Sequence, residues 1–482
     1  MATENFQGET KKPKNIVVCC DGTGNKFIDD TDSDDSNSNV VKLYSTLRIT
    51  NNQVGYYHPG VGTSDDPKAE SKLASLWYRT KGMAFAAGFK DNVLDAYRYL
   101  METYDDGDQV YMIGFSRGAY TVRALAGLLD GYGLLCKGNE GHLPYAWNEY
   151  ARQHDDRKLK KVESNTRFKE TFSRRKFRIH FLGIWDTVSS VGWINTPLRL
   201  FSVAQNPTVK TARHAISIDE RRCFYRDNLF EKATDQQLAA IASEDDPHPT
   251  QDVLQVWFPG VHSDVGGSYS QDSSVLSNNS LEWMIGEIEK AGADIKLHMQ
   301  QLVLGEDINP MPDAATELDE LRRIAALKDL YVKPTKKMVH PSLNGSWCLL
   351  ELLPHRYYDK DDGVENWRTP LGMRRRLPSG KIKLPDGKFA TQETFIHRTA
   401  RDWMASRGYE PGNVVGGVKS LSPVEVEGQP SGSLYLYQPP EDKKPVQNEA
   451  FVRWSIMIAV TGAELAFVGG LGALAVWAIR LL

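Results

Sequence analysis

Short apolar runs alternate with stretches of helical spacing through the first half of the chain. Asn15 to Cys20 (NIVVCC) is apolar after its first residue and stops in the turn-rich DGTGN, the pattern of a buried strand entering a loop. NVVKLYSTL has helical character, and Val54 to His58 (VGYYH) reads as a second strand halted by PGVGT. Between about Phe85 and Tyr104, the residues Phe89, Val93, Tyr97 and Leu100 recur at helical spacing. QVYMIG then reads as a strand, GFSRG as a sharp turn, and AYTVRALAGLLDGYG as a helix. Strands and helices in this succession predict a parallel sheet covered on both faces.

From about Lys137 to Arg175 the chain turns polar and basic, with KLKK and SRRK, and predicts a helical insertion over the sheet edge, a candidate lid. RIHFLGIWD and DVLQVWFPGVHSD are two further apolar strands ending in polar residues, and LEWMIGEIEKAGADI is a following helix. The expected organisation is one catalytic domain over 14–409, a Pro- and Gly-rich, mainly disordered linker over 410–448, and an apolar terminal segment. That segment runs from Trp454 to Ile479 with Glu464 as its one charged residue. It exceeds the roughly 20 residues that span a bilayer core, so a transmembrane helix is expected there. Glu464 would be protonated or face a partner helix, and Ala466 with Gly470, or Gly469 with Ala473, offers a small-residue face for one. A span this near the C-terminus without a secretory signal is expected to leave the catalytic domain on the cytosolic side; Lys443, Lys444 and Arg453 on the preceding flank agree, and Arg480 weakens the bias.

Composition changes this picture little. A formal charge of −4 on 482 residues gives no reason to expect a nucleic-acid partner. Five cysteines are an odd number without metal-like spacing, and Cys19 and Cys20 lie on a predicted buried strand. They read as core thiols in a reducing compartment, and the N-terminal MATENFQGETKKPKN lacks the apolar stretch of a secretory signal. The acidic run from Asp29 to Asp35 has neither the glycine nor the terminal glutamate of a calcium loop and reads as solvated.

The chemistry sits at the strand ends. Gly114-Phe115-Ser116-Arg117-Gly118 matches the G-x-S-x-G nucleophile elbow, with an apolar strand before it and a helix after it. Small residues on both sides let neighbouring backbones close in, while the helix N-terminus favours developing negative charge. Such a serine needs a base, and the base an orienting carboxylate, both just beyond carboxyl ends of parallel strands. Asp186 in GIWDTVSS and His262 in PGVHSDVGG meet that requirement, in the chain order expected for this architecture. Asp186 could instead cap a turn and His262 could be a packed loop residue. Asp264 is a rival carboxylate, and His340, His355 and His397 are alternative bases that end no clear apolar strand. For the oxyanion hole, the backbone N–H of Arg117 is one expected donor, and Gly22 or Thr23 of the DGTGN loop supplies the second.

CCDGTGN, YYHPGVGT, GFSRGAYTVRALAGLL, FLGIWDTVSSVG, AISIDERR and VWFPGVHSDVGGSY follow one another in that order. With them the chain resembles the type VI secretion phospholipase-effector family, from about Lys14 to Lys290 and more weakly to about Arg407. The resemblance implies an α/β-hydrolase core with a mainly parallel sheet and helical insertions. It also implies catalytic roles for Ser116, Asp186 and His262, and acyl-ester hydrolysis of glycerophospholipids. The expected function is thus a membrane-anchored serine hydrolase with a phospholipid or other acyl-ester substrate, requiring no cofactor or metal. The alternatives are a hydrolase of soluble esters or thioesters and a membrane-tethered scaffold without turnover.

Overall fold

The structure, a computed structural model, describes most of residues 13–291, residues 339–343 and most of 393–438, with short strand pairs between 355 and 390. The acidic run from Asp29 to Asp35 and the Trp454–Ile479 segment lie outside the described residues. Among the described residues, no helix is long and apolar enough to cross a membrane.

The sheet is built from β1 (Asn15–Cys20), β2 (Gln53–His58), β3 (Gln109–Phe115), β4 (Ile179–Trp185), β5 (Val209–Ser217), β6 (Asp252–Phe258), β7 (Phe395–His397), β8 (Leu421–Val424) and β9 (Leu434–Tyr437). Their order across the sheet is β8-β9-β7-β6-β5-β4-β3-β1-β2. Every neighbouring pair from β2 across to β7 is parallel, and β9 and β8 add an antiparallel hairpin at the far edge. This is a mainly parallel α/β sheet of nine strands.

Its core follows from strand alternation. In β1, Ile16, Val18 and Cys20 enter one apolar cluster, while Val17 and Cys19 enter another on the opposite face. The first face is covered by the helices Gly82–Thr103 and Arg117–Tyr132, through Phe89, Val93, Tyr97, Leu100, Val122 and Leu125. The helices Asn39–Ser45 and Val275–Lys290 cover the second, through Val40, Leu43, Met284 and Ile288. Because the adjacent cysteines point to opposite faces, both thiols are buried and free, and burial pushes Cys20 up to about 12. Such thiols are inert packing groups.

The insertion between the Arg117–Tyr132 helix and β4 contains the helices Leu143–Arg152 and Val162–Phe172. Trp147 of the first packs on Phe89, and Phe168 of the second meets Tyr132 edge to face.

One expectation needs correcting. The 410–448 stretch is not a linker throughout, because Leu421–Val424 and Leu434–Tyr437 pair as a hairpin that extends the sheet. Three of its Gly and Pro residues serve that hairpin. Pro423 sits in the outermost strand, where a missing N–H costs no ladder bond, and Gly428 and Gly432 take positive φ in the turn. Strand β5 was not anticipated, since nothing in its apolar pattern announces it. Arg213 and His214 interrupt the pattern, yet both are buried. Arg213 Nε donates to Glu287 Oε2 at 2.5 Å, and the guanidinium also pairs with Asp252. His214 Nε2 accepts the Thr187 N–H at 3.2 Å, which leaves Nδ1 to donate to Gln255 Oε1 at 3.1 Å.

Candidate active site

Parallel strands bring their carboxyl ends to one edge, and the register shows how closely. Gly114 of β3 lies beside Cys20 of β1, Phe115 beside Trp185 of β4, and Ser217 of β5 beside Phe258 of β6. The ladder continues one residue further: the Ser116 N–H donates to Trp185 O at 3.1 Å, and the Asp186 N–H to Ala215 O at 2.7 Å. Loops leaving these ends therefore converge.

At the end of β3 the chain turns into the helix Arg117–Tyr132 through Ser116, whose φ of 58° and ψ of −121° are rare for a residue with a side chain. A conformation of this kind costs of order 1–3 kcal/mol and persists only where its surroundings enforce it. The flanking glycines allow that. A Cβ on Gly114 would stand 2.7 Å from the Ala119 backbone, and one on Gly118 would collide with the carbonyl oxygens of Cys20 and Asp21.

Ser116 Oγ lies 2.7 Å from His262 Nε2, and His262 Nδ1 lies 2.5 Å from Asp186 Oδ2. The other Asp186 oxygen accepts from the Ser217 N–H at 2.9 Å and the Ser217 hydroxyl at 3.0 Å. All three residues are buried. Burial holds the His262 imidazole below its ordinary range, opposed by the hydrogen bond and the charge of Asp186. At neutral pH the ring is therefore neutral and able to accept the serine proton.

The rivals are engaged elsewhere. Asp264 Oδ1 meets His340 Nδ1 at 2.6 Å, and its Oδ2 accepts the Val261 and His340 N–H groups at 2.9 and 3.2 Å. His397 stacks on Phe258, with ring centroids 4.7 Å apart, and bonds Thr399. His355 begins a separate two-stranded pair.

Of the expected oxyanion donors, Arg117 opens the helix after the elbow. Gly22 lies close to the serine, since a Cβ on it would stand 3.2 Å from Ser116 Cβ. The Gly22 N–H, however, donates to Asp21 Oδ1 at 2.6 Å, while Thr23 lies outside the described residues. Asp21 is a buried hub that also accepts from Ser38 Oγ at 2.8 Å and Tyr57 OH at 2.9 Å. Burial raises its carboxyl, and those hydrogen bonds oppose the rise. Among the described residues, no cluster of His, Cys, Asp or Glu is arranged to hold a metal ion.

Residues 14–287 match the model of the type VI secretion system (T6SS) phospholipase effector Tle1-like catalytic domain, more than half of the chain. The chain belongs to this family. The matched span holds the elbow, Asp186 and His262, and ends before the edge hairpin β8–β9. An uncharacterized protein of Saccharomyces cerevisiae is 28% identical over 411 residues, covering 61% of this chain and 59% of its own. The chain thus spans about three-fifths of that curated relative. Among solved structures, an uncharacterized protein from Pseudomonas aeruginosa is 19% identical, with a TM-score of 0.37 over 60% of this chain and 47% of that one. The Tle1 effector bound to the VgrG spike of the type VI secretion system is 18% identical, with a TM-score of 0.26 over 54% of this chain and 51% of that one. As a Tle1-like domain, the core is a hydrolase of lipase or esterase type.

The sequence left two elements of the site without a role. Ser217 supports Asp186 from the end of β5, the strand whose pattern is broken by paired charges. AISIDERR was visible as a motif, but only the fold brings Glu220 and Arg222 beside His262.

Proposed function

We propose that the protein is a serine ester hydrolase acting on phospholipid acyl chains, with Ser116 as nucleophile, His262 as base and Asp186 as its orienting carboxylate. The observation that carries this reading is the unbroken hydrogen-bonded chain from Ser116 Oγ through His262 to Asp186, at a strained elbow. Ser116 Oγ attacks the acyl carbonyl carbon while its proton passes to His262 Nε2. Asp186 keeps the Nδ1–H tautomer and stabilises the imidazolium. The oxyanion is met by the Arg117 N–H at the helix N-terminus. Collapse expels the alcohol, which takes the proton from His262. Water then attacks the acyl-enzyme with the same histidine as base, freeing fatty acid and restoring Ser116.

Family membership supports a lipid ester as substrate. The apolar stretch from Trp454 to Ile479 supports a C-terminal membrane anchor, with the catalytic domain on the cytosolic side. The test is lipid profiling of phospholipid vesicles incubated with wild type and with Ser116→Ala. Fatty acid released by wild type alone is expected. Turnover of soluble esters with vesicles untouched would redirect the substrate. No labelling by a fluorophosphonate probe would leave a scaffold. For the anchor, the full chain should stay with membranes at high pH while a chain ending near Gln447 is released; equal release of both would overturn it.

A further inference from the structure

The loop after β5 carries a buried ion pair that the hydrolytic scheme leaves unused. Glu220 is fully buried, while Arg222 is part-buried with 13% of its side chain exposed. Arg222 Nε donates to Glu220 Oε1 at 2.9 Å and Nη2 to Oε2 at 2.8 Å, a two-pronged pairing. Oε1 also accepts the N–H groups of Arg221 and Arg222, each at 2.9 Å. Oε2 accepts the backbone N–H of His262 at 3.1 Å. The Arg222 guanidinium carbon stands 3.6 Å from the centroid of the Tyr225 ring, and that ring meets His262 edge-on at 4.7 Å. One carboxylate thus grips the histidine's main chain, while its arginine partner steadies the aromatic ring against the imidazole.

We propose that Glu220 and Arg222 form a charge-balanced clamp that positions His262 and sets its proton affinity, a role that rests on His262 being the base of the serine hydrolase. A loop tie alone would need only the carboxylate. Adding a guanidinium brings a cation beside the ring, and Glu220 cancels its field. Among the described residues, Asp186, Glu220, Arg222, Tyr225 and Ser116 are the titratable or charged groups facing the ring from the elements packed on it, with Tyr269 near Arg222. Arg222 disfavours the imidazolium and Glu220 favours it.

The experiment is NMR titration of ¹³C-labelled histidine in the full chain, with His262 assigned by the signal lost in His262→Gln. Wild type is compared with Glu220→Gln, Arg222→Met and the double variant. An amide in place of the carboxylate keeps the shape and one acceptor oxygen, so Glu220→Gln should lower the His262 midpoint by on the order of one pH unit. Arg222→Met should raise it by a similar amount, and the double variant should return close to wild type. Four coincident midpoints, or shifts of one sign in all variants, would overturn the clamp. If Glu220→Gln does not fold, the upward shift in Arg222→Met decides alone. Fluorophosphonate labelling of the same proteins keeps the readings apart. A wild type that fails to label sinks the serine mechanism, while the midpoints judge the clamp.

Discussion

Two histidine–aspartate pairs each draw one member from the short helix His262–Gly266, and they differ in what stands beyond each ring. In the first, Asp186 holds Nδ1 of His262 and the far nitrogen meets Ser116 Oγ. In the second, Asp264 holds Nδ1 of His340, whose ring stacks on Tyr269 with centroids 3.9 Å apart. The two pairs share carboxylate, imidazole and a short hydrogen bond. Only the first faces a strained hydroxyl at a helix N-terminus. The second joins residues 339–343 to the His262 helix, with Ser342 Oγ accepting the Arg221 N–H at 3.2 Å as a further tie. The second pair fastens two segments together, whereas the first presents its free ring nitrogen to a serine hydroxyl.

The comparison can be broken most severely at Ser116. Ser116→Ala should reduce ester turnover by about 10⁶ while the protein stays folded, because triad members act as a unit. Purified mutant hydrolysing a short-chain ester near the wild-type rate would end the assignment. Asp186→Asn comes next, with an expected loss on the order of 10³ to 10⁴ in kcat, since a misheld imidazole is a poor base. Comparable activity of the two proteins at matched thermal stability would contradict it.

Protonation sharpens the same contrast. Burial lowers the pKa of His262 from the ordinary 6.5, so the ring is neutral at neutral pH. Log kcat/KM should therefore be flat at neutral pH and fall only as pH drops through a midpoint below that value. A midpoint above it would mean that the carboxylate, not burial, dominates. The smallest effect is expected at the second pair. Asp264→Asn should leave kcat within a few-fold and cost about 1–2 kcal/mol in stability, the scale of a disturbed buried hydrogen bond. A thermal unfolding curve beside the kinetics checks this, and a loss of activity equal to that of Asp186→Asn would erase the distinction between the pairs.

Much of the site was legible before the fold. An apolar run followed by G-x-S-x-G and a helix places Ser116, because local sterics demand small residues where the chain reverses. Asp186 and His262 stood out because each follows an apolar strand, and parallel strands send such residues to one edge. Strand β5 was hidden because Arg213 and His214 satisfy their polarity on a covering helix and on the neighbouring strand, where a one-dimensional pattern cannot register the partner. The terminal hairpin was hidden for a related reason: its turn carries the Gly and Pro signals of a linker, and its pairing depends on a strand found near residue 395.

The sequence by itself thus determined the alternation of elements, the elbow and the short roster of residues at strand ends, all consequences of local sterics and burial periodicity. Only the tertiary structure decided among that roster. Asp264 is two residues from His262, yet the short helix points it to His340, whereas Asp186 arrives from 76 residues away through the ladder between β3, β4 and β5. Hydrogen bonding depends on separation and angle in space, and separation along the chain carries neither.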